Sequence, residues 1–261
     1  MLLIDTHSHI FSEEFDADRE AVLKRASEAG VRYHLLPNID SISTSRLLDT
    51  CRSFPQCFPL MGLHPTSVKS GFEREIYHVE DQLAKAKYWG IGEIGIDLYW
   101  DKTFFPQQQE AFRYQLKLAK KHNLPVVIHS RNSFKEIFEI VDQEIDENLH
   151  GVFHSFTGTL HDYNHIDEYR TFYIGIGGIV TYKNGGVAEL LYQMNPEKIL
   201  LETDSPYLSP VPVRGKRNES YNLIYVAEKI ADLLNTSLYE IAKQTTQNAV
   251  KLFKLDIDEI G

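Results

Sequence analysis

The feature that most constrains this chain is a series of eight short apolar runs: LLID (2–5), YHLL (33–36), FPLMG (58–62), GIGEIGI (90–96), PVVIH (125–129), GVFH (151–154), TFYIGIG (171–177) and KILLETD (198–204). Segments of helical period separate them. In DADREAVLKRASEAG (16–30), Val22, Leu23 and Ala26 form a stripe and Gly30 is a stop signal; QQQEAFRYQLKLAKKHNL (107–124) places Ala111, Gln115, Leu118 and Ala119 near one face. Strand-like runs alternating with helices predict repeated βα units and a parallel sheet. Eight such units in 261 residues suit a closed barrel, which takes about 250. Neither a GxGxxG nor a GxxxxGK[ST] pattern follows the first run, so the nucleotide-binding signature of an open sheet is missing. The expected fold is α/β, a TIM (β/α)8 barrel forming one domain over residues 1–261. NESYNLIYVAEKIADL and LNTSLYEIAKQTTQNAVKLF are read as two extra C-terminal helices that close it.

In such a barrel the chemistry lies at the C-terminal ends of the strands. His7 and His9 follow the first run, where a strand continuing through them would put them on one face with Asp5. Glu93 lies in the fourth run, His129 ends the fifth, His154 the sixth and Asp204 the eighth. Burying a carboxylate or imidazole there costs several kcal/mol unless it is paired or metal-bound. Four imidazoles and two carboxylates exceed one tetrahedral site, but two divalent ions about 3.5–4 Å apart would use them all. His7, His9, Glu93 and Asp204 would hold one ion, and Glu93, His129 and His154 the other, with Glu93 bridging. Such a pair lowers the pKa of a shared water, for which Asp204 is the natural general base; Asp204 and Glu93 are thus the catalytic candidates. His64, in MGLHP after the third run, sits on the same rim and is suited equally to substrate contact and to a structural role.

The balance of 27 Lys and Arg against 37 Asp and Glu gives a net charge of −10, which excludes a protein that coats a polyanion through bulk positive charge. Any nucleic-acid contact must be local or metal-mediated. The densest basic cluster, Arg214, Lys216 and Arg217 in SPYLSPVPVRGKRNES (205–220), follows the eighth run, where these barrels commonly bind phosphate. Arg131, two residues beyond His129, is a second phosphate candidate, and Tyr99 and Trp100 could stack on a base, although such aromatics more often pack as a lid. Cys51 and Cys57, in CRSFPQC, match neither a CxxC redox pair nor a zinc cluster, so both thiols are expected to be reduced. The N-terminal apolar run is too short for a signal peptide and no stretch is long enough to span a membrane, which points to a soluble cytoplasmic protein, expected as a monomer.

With those residues in hand, the chain resembles the TatD family of metal-dependent deoxyribonucleases, in the amidohydrolase-like barrel group. The blocks DTHSH, GLHP, GEIGID with YWDKTF after one residue, PVVIHSR, FHSFTG, ETDSPYL and PVRGKRNE carry the resemblance in order along the whole chain. It implies metal binding by His7, His9, Glu93, His129, His154 and Asp204. Two departures concern the substrate loop. Ser220, itself a helix-capping type, stands where the family has proline after RGKRNE, and GGIVTYKNGG (177–186) offers no clear ligand after the seventh run. Glu93 occupies the position where many relatives elsewhere in the barrel group carry a modified lysine, which weakens amidase and lactonase readings. The expected activity is hydrolysis of DNA phosphodiester bonds from an end, with one or two divalent ions (Mg, Mn or Zn). The alternatives are a hydrolase of small phosphoesters or cyclic amides and esters, and a non-catalytic metal-binding scaffold.

Overall fold

The computed structural model describes residues 1–257 and contains a strand that overlaps each of the eight apolar runs. These are β1 (Leu3–Asp5), β2 (Val31–Pro37), β3 (Cys57–Leu60), β4 (Ile91–Asp97), β5 (Val126–Arg131), β6 (Gly151–Phe153), β7 (Phe172–Ile176) and β8 (Ile199–Leu201). All pair in parallel and in chain order, as two arcs, β1-β2-β3 and β4 to β8. Backbone hydrogen bonds cross both seams between the arcs. At one, Met61 N donates to Gly90 O (3.1 Å) and Glu93 N to Asn38 O (3.1 Å); at the other, Thr6 N donates to Leu201 O (3.0 Å) and Asp204 N to His7 O (2.9 Å). The sheet is a TIM-type barrel.

Among the described residues, eight α-helices surround and close it: α1 (Arg19–Glu28), α2 (Thr44–Ser53), α3 (Glu73–Lys85), α4 (Phe105–His122), α5 (Phe134–Glu144), α6 (Leu160–Glu168), α7 (Leu223–Leu233) and α8 (Leu238–Phe253). Helix boundaries follow the sequence signals. Gly30 (φ +94°) lies just beyond α1, and Asn123 terminates α4 in the left-handed region (φ 52°). Ser220 does not cap α7. It opens a single 3-10 turn, Ser220–Asn222, and Asn222 occupies the cap position.

Strand alternation divides the apolar residues between two layers. One set, including Ile4, Leu35, Phe58, Leu60, Val127, Val152, Tyr173 and Leu200, fills the barrel interior, and Ala249, Leu252, Phe253 and Leu255 of α8 and its C-terminal end pack against that set. The larger set, such as Ile96, Ile128, Phe153, Ile174 and Leu201, faces Phe112, Leu116, Ile137, Val141, Val226 and Ile230 of the helices. With α8 stopping the barrel at the N-terminal ends of the strands, the C-terminal rim is the end left for polar groups. Both cysteines are free thiols.

One local expectation fails. Regular strand ends at Asp5, and His7 and His9 lie in the turn beyond it, held by a parallel bridge between Ser8 and Ser205. Asp5 therefore does not share a pleated face with the histidines. Its carboxylate instead accepts from Thr203 N (2.9 Å) and Thr203 Oγ1 (2.6 Å), tying β1 to the segment after β8. Burial pushes its carboxyl up to about 7, against these hydrogen bonds, which pull it down.

Candidate metal centre

Glu93 is the hub of the C-terminal rim. It sits in the middle of β4, and Gly95 two residues on explains how β4 approaches β5 so closely: Gly95 has φ +139°, and a Cβ there would lie 2.1 Å from His129 O. Glu93 Oε1 lies 2.7 Å from His129 Nδ1, 2.7 Å from His154 Nε2 and 3.3 Å from His64 Nε2. Its Oε2 lies 3.2 Å from His7 Nε2 and 3.6 Å from His9 Nε2. Asp204, in the left-handed conformation (φ 56°) that Asp tolerates, places Oδ1 3.5 Å from His9 Nε2 and 3.7 Å from His7 Nε2. All six expected ligands, with His64, thus converge at one place.

Opposite charges hold the donors together. Burial alone would raise the Glu93 carboxyl, but His154, His64 and His7 around it hold it well below the usual range. Asp204 is likewise raised by burial and brought below its usual value by the hydrogen bond with His9 and the charges of His7 and His154. Burial lowers the pKa of His9, yet Asp204 and Glu93 raise it to about 9. His154, desolvated in the same way, is lifted well above its usual value by Glu93 and Glu202. A divalent cation replaces protons at such sites, since imidazole and carboxylate ligands bind metal in their deprotonated forms.

The donor set fits divalent ions. Donors around a four-coordinate ion with bonds of about 2.1 Å lie roughly 3.4 Å apart. The Nε2 atoms of His7 and His9 are 3.2 Å apart with Asp204 Oδ1 beside them. Among the described residues, three groups have ligand atoms all within 4.8 Å of one another: His7, His9 and Asp204; His64, Glu93 and His129; His7, His154 and Glu202. The Nδ1 atoms of His7, His9 and His154 are buried without hydrogen-bond partners, so the rings of His7 and His9 offer Nε2 to the cluster.

Carboxylates lie behind the cluster. Asp97 Oδ2 lies 2.9 Å from His129 Nε2, and its carboxyl is held at about 2, burial being outweighed by His129 and the backbone N–H groups of Trp100 and Tyr99. An ionised Asp97 accepts a hydrogen bond from His129 Nε2–H and leaves Nδ1 free to ligate. Glu202 faces His154 Nδ1 at 3.6 Å, and its Oε1 accepts from Ser155 N. His64 is different. Its Nδ1 accepts from Thr66 N (3.1 Å), so in the neutral ring Nε2 carries the proton and points at Glu93 as a donor.

Asp97 and Glu202 escaped the sequence reading, although period 2 could have found them: Asp97 is four residues from Glu93, and Glu202 is two from Asp204. Asp97→Asn and Glu202→Gln are each expected to lower divalent-ion affinity by about 10–100-fold, the range for residues that orient metal-ligating histidines. Calorimetric titration of the purified variants checks this, and a change below twofold would remove the orienting role.

The expected phosphate contacts divide. Arg131 lines the recess above the cluster, a cavity of about 830 Å³, together with His64, Tyr99, Trp100 and Tyr207. Arg214 lies over the Tyr182 ring at 4.3 Å, outside the residues that line the recess. Arg217 is also outside them, because its guanidinium is bound to Asp18 (2.9 and 2.7 Å) and Glu219 (2.9 Å). In place of a phosphate contact, Arg217 joins the loop after β8 to the segment before α1.

The family described as "TatD related DNase" matches residues 4–254. The chain is 35% identical over 256 residues to an uncharacterized metal-dependent hydrolase, YabD, of Bacillus subtilis, covering 98% of this chain and 100% of that protein. It is 30% identical over 262 residues to the 3'-5' ssDNA/RNA exonuclease TatD of Citrobacter rodentium, covering 98% of this chain and 99% of that one. Among solved structures, the TatD homologue YjjV of Escherichia coli superposes with a TM-score of 0.91 at 29% identity, over 97% of this chain and 98% of that one. A Saccharomyces cerevisiae protein described as an uncharacterized amidohydrolase shares the fold, with a TM-score of 0.84 at 18% identity, over 97% of this chain and 99% of that one.

Proposed function

Because the chain belongs to the TatD-related DNase family, whose curated relatives include metal-dependent hydrolases, we propose that it is a deoxyribonuclease that hydrolyses DNA phosphodiester bonds from an end. The observation that carries the reading is the gathering of five expected ligands around the buried carboxylate of Glu93, the sixth, beneath a recess that has a cation, Arg131, in its wall. His7, His9 and Asp204 would hold one divalent ion and His129 and His154 a second, with Glu93 between them; magnesium, manganese and zinc are the candidate ions. Bound there, such ions supply Lewis acidity, lowering the pKa of water and neutralising charge on a phosphoryl oxygen.

The protein's own groups do the rest. Asp204 is the more open of the two hub carboxylates, its side chain 15% exposed against 3% for Glu93, so it is the one placed to take the proton from the attacking water. His64 presents Nε2–H toward the same point and can donate to a phosphoryl oxygen. Arg131, higher in the wall, offers a paired contact to a neighbouring phosphate. The buried hub also restricts the substrate: the scissile bond must descend into the recess, which a free chain end does more readily than the middle of a duplex. The exonuclease named among the relatives supports this reading. It carries with it a single domain over 1–261 and a monomer working in the cytoplasm; no helix among the described residues is long and apolar enough to cross a membrane.

The test is digestion of an end-labelled single-stranded DNA oligonucleotide with magnesium, manganese or zinc, beside a chelator control. Stepwise shortening that the chelator abolishes is the expected result. An oligonucleotide left intact by protein shown to hold metal would overturn the reading in favour of a small-substrate hydrolase.

A further inference from the structure

Three side chains at the mouth of the recess have no part in holding metal. The Arg131 guanidinium lies 4.0 Å from the centroid of the Tyr99 ring and 5.3 Å from that of Trp100. The two rings meet edge to face, 4.8 Å apart at 88°. Neither ring is covered: Tyr99 is 52% and Trp100 66% exposed. They are not on a loose loop either. Asp97 Oδ1 accepts from Tyr99 N (2.9 Å) and Trp100 N (3.0 Å), while the other oxygen of the same carboxylate faces His129 Nε2. Asp97 N is itself held by Gln108 Oε1 (2.9 Å). One buried carboxylate therefore joins the aromatic pair to a ligand of the metal cluster.

We propose that Arg131, Tyr99 and Trp100 form a nucleobase-stacking subsite that seats the base next to the scissile phosphodiester of an unpaired polynucleotide end. This rests on the deoxyribonuclease reading above and adds to it the group that recognises the substrate. With one face of its guanidinium against Tyr99, Arg131 has its other face for a base, and Trp100 supplies a second open π-surface; both are platforms that unpaired bases use. His129 and Arg131 are two residues apart on β5, about 6.6 Å along the strand, and share its inward face. A base on Arg131 thus lies one short step above the histidine cluster. Stacking accepts any base, so the subsite favours unstacked ends without selecting sequence.

The experiment compares thymidine 5'-monophosphate with 2-deoxyribose 5-phosphate, which lacks the base. Binding to the manganese-loaded protein is measured by calorimetry for wild type, Trp100→Ala, Arg131→Ala and, as a control at a distant exposed ring, Tyr192→Ala. Wild type is expected to prefer the nucleotide by about 5–150-fold, the contribution of one stacked base. Trp100→Ala and Arg131→Ala should bring the ratio toward one, and Tyr192→Ala should leave it. Equal binding of the two ligands by wild type, or a ratio unchanged in both mouth variants, overturns the subsite. Because neither ligand has a phosphodiester to cut, the result is separable from turnover. A base preference lost in Trp100→Ala by a protein that leaves DNA intact would sink the deoxyribonuclease reading and keep the subsite, whereas DNA cleavage with no base preference does the reverse.

Discussion

Replacing Glu93 with alanine is expected to lower metal-supported turnover by at least about a thousandfold, a loss of roughly 4 kcal/mol of transition-state stabilisation. The reason is geometric. Its two carboxylate oxygens lie between 2.7 and 3.6 Å from ring nitrogens of five histidines, four of them proposed ligands. The variant also leaves His7, His154 and His129 without their shared counter-charge, so bound metal measured on the purified protein should fall with the activity. Glu93→Gln keeps the shape but halves the acceptor capacity and removes the charge, and should lose nearly as much. Either variant retaining a tenth of wild-type turnover would show that Glu93 is not the hub.

The second large effect lies at the opposite end of the barrel and is one of stability. Phe253 is buried at the end of α8, against the set of side chains that fills the barrel interior. Phe253→Ala is expected to destabilise the protein by about 3–5 kcal/mol, from lost transfer energy and the cavity left behind. For a chain of this size that corresponds to a fall in Tm of roughly 6–20 °C. The metal cluster is at the other end of the strands, so metal affinity at 25 °C should stay within about twofold of wild type, since distant sites act additively. Thermal unfolding with and without a saturating divalent ion measures both. A Tm within 2 °C of wild type would mean that the bottom layer collapses to fill the space.

The eight strands were legible because each is nearly all apolar, as strands buried on both faces must be, and because Gly and polar clusters bound them. The convergence of the six expected ligands was legible for a related reason. A parallel barrel puts every strand end on one rim, so residues scattered from His7 to Asp204 become neighbours once the topology is known. What remained hidden depends on partners far along the chain. Regular strand was expected to continue through His9, but the segment after Asp5 is held by Ser205 and Leu201, which no local pattern reveals. Arg217 looked free for phosphate in a basic run, and its carboxylate partner Asp18 is 199 residues away. Asp97 and Glu202 were visible in GEIGID and ETDSPYL as residue types, but that they face the rings of His129 and His154 only side-chain geometry shows.

The seam between β1 and β8 has a consequence for how the protein comes into being. Ser8 and Ser205, whose hydroxyls meet across it, are separated by 197 residues. On a ribosome adding about 5–20 residues per second, the second emerges roughly 10–40 s after the first. Throughout that interval His7 and His9 have no Asp204, and the interior face of the growing sheet has no α8 beneath it. The nascent chain is consequently most prone to aggregation just before its last quarter is made, and it can acquire its full complement of metal only as nearly the final act of its biogenesis.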